Sequence, residues 1–157
     1  MNIKKLAALA APCIMLLMAA GDPQGFAVWP AGDLKARATA LASKLSPEGV
    51  ASDKIADYGF YNMQLAHRES TGGAELHEKF IDIFMIQSGD ATLLIGGTID
   101  GRHETGPGEI RGTAVKGGER HHVAAGDVVH IPANVPHQMV LDKGHQVTYF
   151  VVKVESR

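Results

Sequence analysis

At 157 residues, 45% hydrophobic and 20% charged, the chain has the composition of one ordinary globular domain with a real core. Its formal charge of −2 excludes the strongly basic balance of a nucleic-acid binder, so nucleic acid is not an expected partner. A single cysteine, Cys13, excludes a disulfide framework.

Lys4 and Lys5 precede an uncharged apolar run from Leu6 to Ala20 followed by small residues, the layout of a secretory signal peptide. The reading is therefore an exported protein, periplasmic or secreted, with residues 1–27 removed. Cleavage after Gly21 is the alternative to cleavage after Ala27, which is preferred because the stretch before Trp29 carries no structural pattern. A signal anchor is the competing reading, although the apolar run is short against the roughly 20 residues a bilayer requires. With the signal removed, no membrane association is expected. The mature chain keeps 13 basic and 16 acidic residues and no cysteine, so its stability rests on packing or on a metal.

Residues 28–54 are read as an N-terminal helix and linker, and residues 55–157 as the main domain. Within 33–46, Leu34, Ala38, Leu41, Ala42 and Leu45 recur at helical spacing, Asp33 is placed as N-cap, and Pro47 lies just beyond the end. Such a helix lays its apolar stripe on an open face of the domain, with a dimer contact as the alternative.

After Gly49 the pattern changes to short runs rich in Val, Ile, Phe and Tyr, broken by Gly, Pro, Asp and Asn. Strands are expected at 56–68, 74–78, 81–88, 91–96, 111–116, 120–124, 127–131, 136–142 and 146–154. Ser88 to Asp90 and Lys143-Gly144 read as tight turns. The glycine-rich, charged segment 96–118 is expected to be a mobile flap or an extended edge. The fold class is all-β, a small antiparallel barrel or jelly roll behind one amphipathic helix.

Side chains two apart on a strand point the same way, so Glu75 and His77 share a face. Asp82 interrupts an otherwise apolar strand of Phe80, Ile81, Ile83, Phe84, Met85 and Ile86, and a buried carboxylate without a partner is costly enough that something must compensate it. If the fold sets His137 beside these three, two imidazoles and one or two carboxylates converge on a point. Either carboxylate that does not ligate could act as a general base, and Glu75 is the candidate for that catalytic role. His130 alternates inward with a ligand-contacting or core role, and His67 could reach the same mouth although the surface suits it better. Phe84 and Gln138 complete the candidates for substrate contact or ligand support. His121 and His122 are adjacent and expected to be exposed, as are His103 and His145. Of Phe60, Phe84, Met85, Met139, Tyr149 and Phe150, most should be core and some should line a cavity.

The spacing resembles the two motifs of the cupin superfamily. In the first, histidine-x-histidine, glutamate and glycine correspond to Glu75-x-His77, Asp82 after four residues and Gly89 after six more. In the second, Gly126, Pro132-x-Asn134 and His137 keep the intervals, with asparagine at the usual glycine and Leu141 at the usual asparagine. The resemblance implies a jelly-roll barrel over about residues 55–154 with a divalent transition metal held by His77, His137, Asp82 and Glu75. Iron or manganese is favoured over nickel, copper or zinc because the set holds two carboxylates. It implies a small organic ligand and a dioxygenase-like, isomerase or lyase activity, with a non-catalytic small-molecule or saccharide-binding module as the alternative. A storage or stress protein held together as a homodimer is a third reading.

Overall fold

The computed structural model describes residues 23–156. The expected signal segment lies almost wholly outside them, and among the described residues no helix is long and apolar enough to cross a membrane.

The helix α1 (Ala31–Leu41) starts two residues before its expected cap and runs into a 3₁₀ turn at Ala42–Lys44. Pro30 stands at the N-cap position with no side-chain cap bond, and Asp33 lies inside the first turn, where its charge favours the positive helix end. Leu34, Ala38, Leu41 and Leu45 pack on Ala51, Leu65, Ile55 and Phe150. That apolar stripe therefore covers the outer face of a sheet, as its spacing requires.

Twelve strands follow. β1 (Val50–Asp57), β2 (Tyr61–Arg68), β12 (Val147–Glu155), the first half of β4 (Phe80–Ile95) and β10 (Val128–Ile131) form one antiparallel layer. The second half of β4, β9 (Glu119–Ala124), β11 (His137–Val140), β3 (Ala74–His77), β7 (Glu109–Gly112) and β6 (His103–Gly106) form the other. β5 (Thr98–Asp100) and β8 (Ala114–Lys116) make a small ribbon beside them. Between the layers lies the core, with Phe84, Ile86, Leu93, Ile131, Met139, Val147 and Val151 among its buried members.

Three expectations change. The run 56–68 splits at Tyr58–Phe60, where Gly59 takes φ +83° and its N–H donates to Asp57 Oδ1; β1 begins at Val50, so residues assigned to the linker belong to the barrel. Ser88 to Asp90 is not a hairpin turn: β4 runs through it. Gly89, paired with Val147, has φ +73° and a Cβ there would meet the Gln146 carbonyl oxygen at 1.9 Å, so the close approach of β12 requires glycine. A bulge at Gln87, opposite Thr148 and Tyr149, lies two residues before it. Segment 96–118 takes the edge alternative, folding into β5 to β8.

Candidate metal centre

The strand register assembles the site. On one layer His137, Glu75 and Arg111 lie directly opposite one another across β11, β3 and β7, and His77 faces Glu109 in the next row. The two-residue period that puts Glu75 and His77 on one face does the same for Glu109 and Arg111, so four charged or ligating side chains share one surface. The opposite layer supplies Asp82 on β4 and, directly across from it on β12, Lys153. Asn134 explains its departure from glycine: it holds φ +63°, which asparagine tolerates, and it ties the β10–β11 loop to β3 through its N–H on the His77 carbonyl and its Nδ2 on the Glu78 carbonyl.

Glu75, His77 and His137 come together, with Asp82 beside the two imidazoles. His77 and His137 are 3% and 4% exposed with ring centroids 5.3 Å apart, and one donor atom each from Glu75, His77 and His137 lies within 4.8 Å of the others. His77 Nδ1 sits 2.8 Å from Glu109 Oε2, and His137 Nδ1 sits 3.0 Å from the Val135 carbonyl. Both partners only accept, so each Nδ1 carries a proton, and each ring in its neutral form would present an Nε2 lone pair inward. Those two Nε2 atoms are the described buried side-chain atoms without a hydrogen-bond partner. Asp82 Oδ2 stands 3.3 Å from one and 3.7 Å from the other, and Glu75 Oε2 stands 3.6 Å from His77 Nε2. Ligands about 2.1 Å from a tetrahedral ion would be about 3.4 Å apart. The donor set, its spacing and the supported imidazoles therefore fit a divalent ion.

Electrostatics agree. Burial works to raise Glu75, but the His77 ring and the Arg68 and Arg111 guanidiniums outweigh it and hold the carboxyl well below its usual range. Burial likewise opposes the ionised form of Asp82, and His77 and Lys153 overcome it, lowering that carboxyl too. Burial would lower His77, yet the Asp82 and Glu75 carboxylates raise it to about 9 in the ion-free site. Burial lowers His137 and keeps it neutral. A proton on His77 and a metal ion are thus alternative ways to balance the same two carboxylates. Glu75, so strongly ionised, serves better as a ligand than as a general base.

A cavity of about 220 Å³ opens beside the cluster, bordered by Phe84, Met139, Tyr149 and Val151 and by Arg68, Arg111 and Lys153. Phe84 lines this cavity, its ring edge-on to His137 at a centroid distance of 6.4 Å. Gln138 borders the cavity, but its amide is committed to backbone: Oε1 accepts from the Val115 N–H, and Nε2 donates to the Gly72 and Thr113 carbonyls. It holds β8 to the barrel rather than meeting a ligand. His130 is a correction, since it pairs with Ile83 on the outer face and is exposed. His67 is another: it is buried, but under α1 on the outer face, with Nδ1 on Thr148 Oγ1 at 2.8 Å and Nε2 on Glu69 at 3.2 Å. Phe60 is 62% exposed, and Met85 and Phe150 face the helix side. His103, His121, His122 and His145 are exposed, as expected.

Sequence reasoning missed Glu109, Arg111, Arg68 and Lys153. The alternation Glu109-Ile110-Arg111 was the available signal for the first two. Lys153 Nζ donates to Asp82 Oδ1 at 2.6 Å, and Arg68 donates from Nε to the Tyr149 hydroxyl and from Nη2 to Glu75 Oε1.

Residues 111–157 match the family model described as the AraC-like ligand binding domain. No curated protein matches the chain. Among solved structures, the TT1209 protein of Thermus thermophilus superposes with TM-score 0.54 at 16% identity, covering 74% of this chain and 92% of that one. KdgF from a Halomonas species gives 0.51 at 14% identity, covering 71% and 84%. The cupin domain of Cnp3 from Schizosaccharomyces pombe gives 0.51 at 7% identity, and the match spans 68% of this chain and 65% of that one. These likenesses, with the two-layer topology, give the architecture: the described residues take a cupin-type fold.

Proposed function

We propose that this protein is a metal-dependent cupin acting on a small organic molecule held in the cavity beside His77, His137, Asp82 and Glu75. The carrying observation is the pair of buried Nε2 atoms, each without a hydrogen bond and each fixed by a partner on its other nitrogen. A bound Fe²⁺ or Mn²⁺ would supply open coordination positions, the arrangement suited to oxygen-activating or Lewis-acid chemistry. The chain's own residues do the rest. Glu109 orients His77, Lys153 balances Asp82, Arg68 and Arg111 keep Glu75 ionised, and Phe84 shields His137 from water. Elemental analysis tests the reading: protein reconstituted anaerobically should hold near-stoichiometric metal, and protein that stays empty against Fe²⁺, Mn²⁺, Ni²⁺, Cu²⁺ and Zn²⁺ sinks it.

A second reading, a non-catalytic small-molecule or saccharide-binding module, is favoured by one contact. Lys153 already pairs with Asp82, so that carboxylate has a counter-charge without an ion. The matched family description, a ligand binding domain, supports a small-molecule ligand under either reading.

Export is part of the proposal, supported by the Lys4-Lys5 and Leu6–Ala20 layout; N-terminal sequencing of the protein recovered from each cell fraction tests it. A homodimer is also proposed, supported by exposed apolar side chains such as Val128, 68% exposed, on the outer sheet face. Sedimentation equilibrium checks the oligomeric state.

A further inference from the structure

Apart from the two imidazoles, the charged side chains around the cluster balance one another. Glu75, Asp82 and Glu109 face Arg68, Arg111 and Lys153 at contact distances of 2.6 to 3.7 Å. Three carboxylates and three cations cancel. A divalent ion held by two neutral imidazoles would therefore leave the cluster two positive charges beside a cavity of about 220 Å³. Charge confined away from water is unfavourable until an opposite charge compensates it. The loaded cavity therefore favours an anion.

Arg111 is placed to receive one. Its side chain borders the cavity and is 34% exposed. Among the described residues a single hydrogen bond occupies its five N–H donors, from Nη1 to the Ile110 carbonyl. Its Nη2 stands 3.3 Å from Glu109 Oε2 and 3.7 Å from Glu75 Oε2, near enough for attraction but not hydrogen-bonded to either. The other two cations are committed: Arg68 to Tyr149 and Glu75, Lys153 to Asp82. Glu75 Oε2 lies between Arg111 and His77 Nε2, so the guanidinium adjoins the ligand cluster. A planar fork with free donors matches a carboxylate. The remaining lining mixes polar Ser52 and Gln64 with an apolar patch of Phe84, Met139 and Val151, and the volume falls below the roughly 300 to 1,000 Å³ of sites for drug-sized ligands.

We propose that the metal-loaded cavity binds a small organic carboxylate, its charged end on the free donors of Arg111 and its apolar body against Phe84, Met139 and Val151. This inference rests on the metal-binding reading. The test is calorimetric titration of benzoate and butyrate, with benzamide and butyramide as neutral counterparts. It uses metal-loaded protein, EDTA-treated protein, and loaded Arg111→Gln and Arg111→Lys, with metal content measured on every sample. Loaded wild type should prefer at least one acid over its amide by about tenfold or more. EDTA treatment and Arg111→Gln should each reduce that preference at least about tenfold, the latter compared with wild type at equal measured metal occupancy, and Arg111→Lys should retain part of it. Loaded protein that binds neither acid, or an acid preference that survives Arg111→Gln, overturns the carboxylate assignment and leaves the metal reading standing. Protein that takes up no metal overturns both.

Discussion

Two buried histidine environments, one outside the barrel under α1 and one between its layers, differ in how their ring nitrogens are partnered. His67, under α1, has a partner on each ring nitrogen, Thr148 and Glu69. His77 and His137, between the layers, each have a partner on Nδ1 and none on Nε2. All three are equally hidden from water. Burial alone therefore does not distinguish a structural imidazole from a ligating one; the unfilled nitrogen does, because leaving it so costs stability that a bound ion recovers.

The largest expected effect breaks this comparison outright. His77→Ala and His137→Ala should each lower metal affinity by at least about a hundredfold, beyond what loss of a supporting partner usually costs. His67→Gln should leave metal content unchanged by elemental analysis. Metal loss in His67→Gln would mean that the two environments are not distinct.

Leu41→Ala tests the helix side by itself. Leu41 is 1% exposed and anchors α1 on Leu65 and Ala51, so its truncation should cost about 2 to 5 kcal/mol in denaturant unfolding. Metal affinity of the folded protein should not move. Next in size, Glu109→Gln keeps the shape of the His77 support but removes its charge, and should weaken metal binding about 10- to 100-fold. Competition with a chromophoric chelator measures it.

The smallest effect sharpens the comparison through pH. In ion-free protein His77 is raised from 6.5 to about 9, so its ionic contribution to stability is full below about pH 6.5 and drains away as pH rises through about 9. Glu75 and Asp82 are lowered and stay ionised across that window, so they add no slope there. Denaturant midpoints of EDTA-treated protein should therefore fall between pH 6.5 and 9, and His77→Asn should flatten the fall. Loaded protein should gain metal stabilisation over the same interval, because the ion needs His77 deprotonated. A flat profile in wild type would remove the ion-pair account of His77.

Local pattern made much of this legible. Alternation put Glu75 and His77 on one face, Asp82 stood out in its apolar run, and the interval from Gly126 to His137 marked the loop and strand that carry the last ligand. Other features were invisible to a local reading. Ser88 to Asp90 has turn composition, yet Gly89 lies inside a continuous strand, where the β12 backbone leaves no room for a side chain. His67 and His130 sit at suitable strand positions but on the wrong face, and a strand's alternation does not say which face is inside.

From the sequence by itself came the cupin spacing, the all-β class, the apolar helix stripe and the four candidate ligands. Tertiary structure alone decided that Glu109 stands behind His77, that Lys153 pairs with Asp82, and that Arg68 and Arg111 flank Glu75. The physical reason is that periodicity is a property of each strand, whereas these contacts depend on register between strands far apart in the chain.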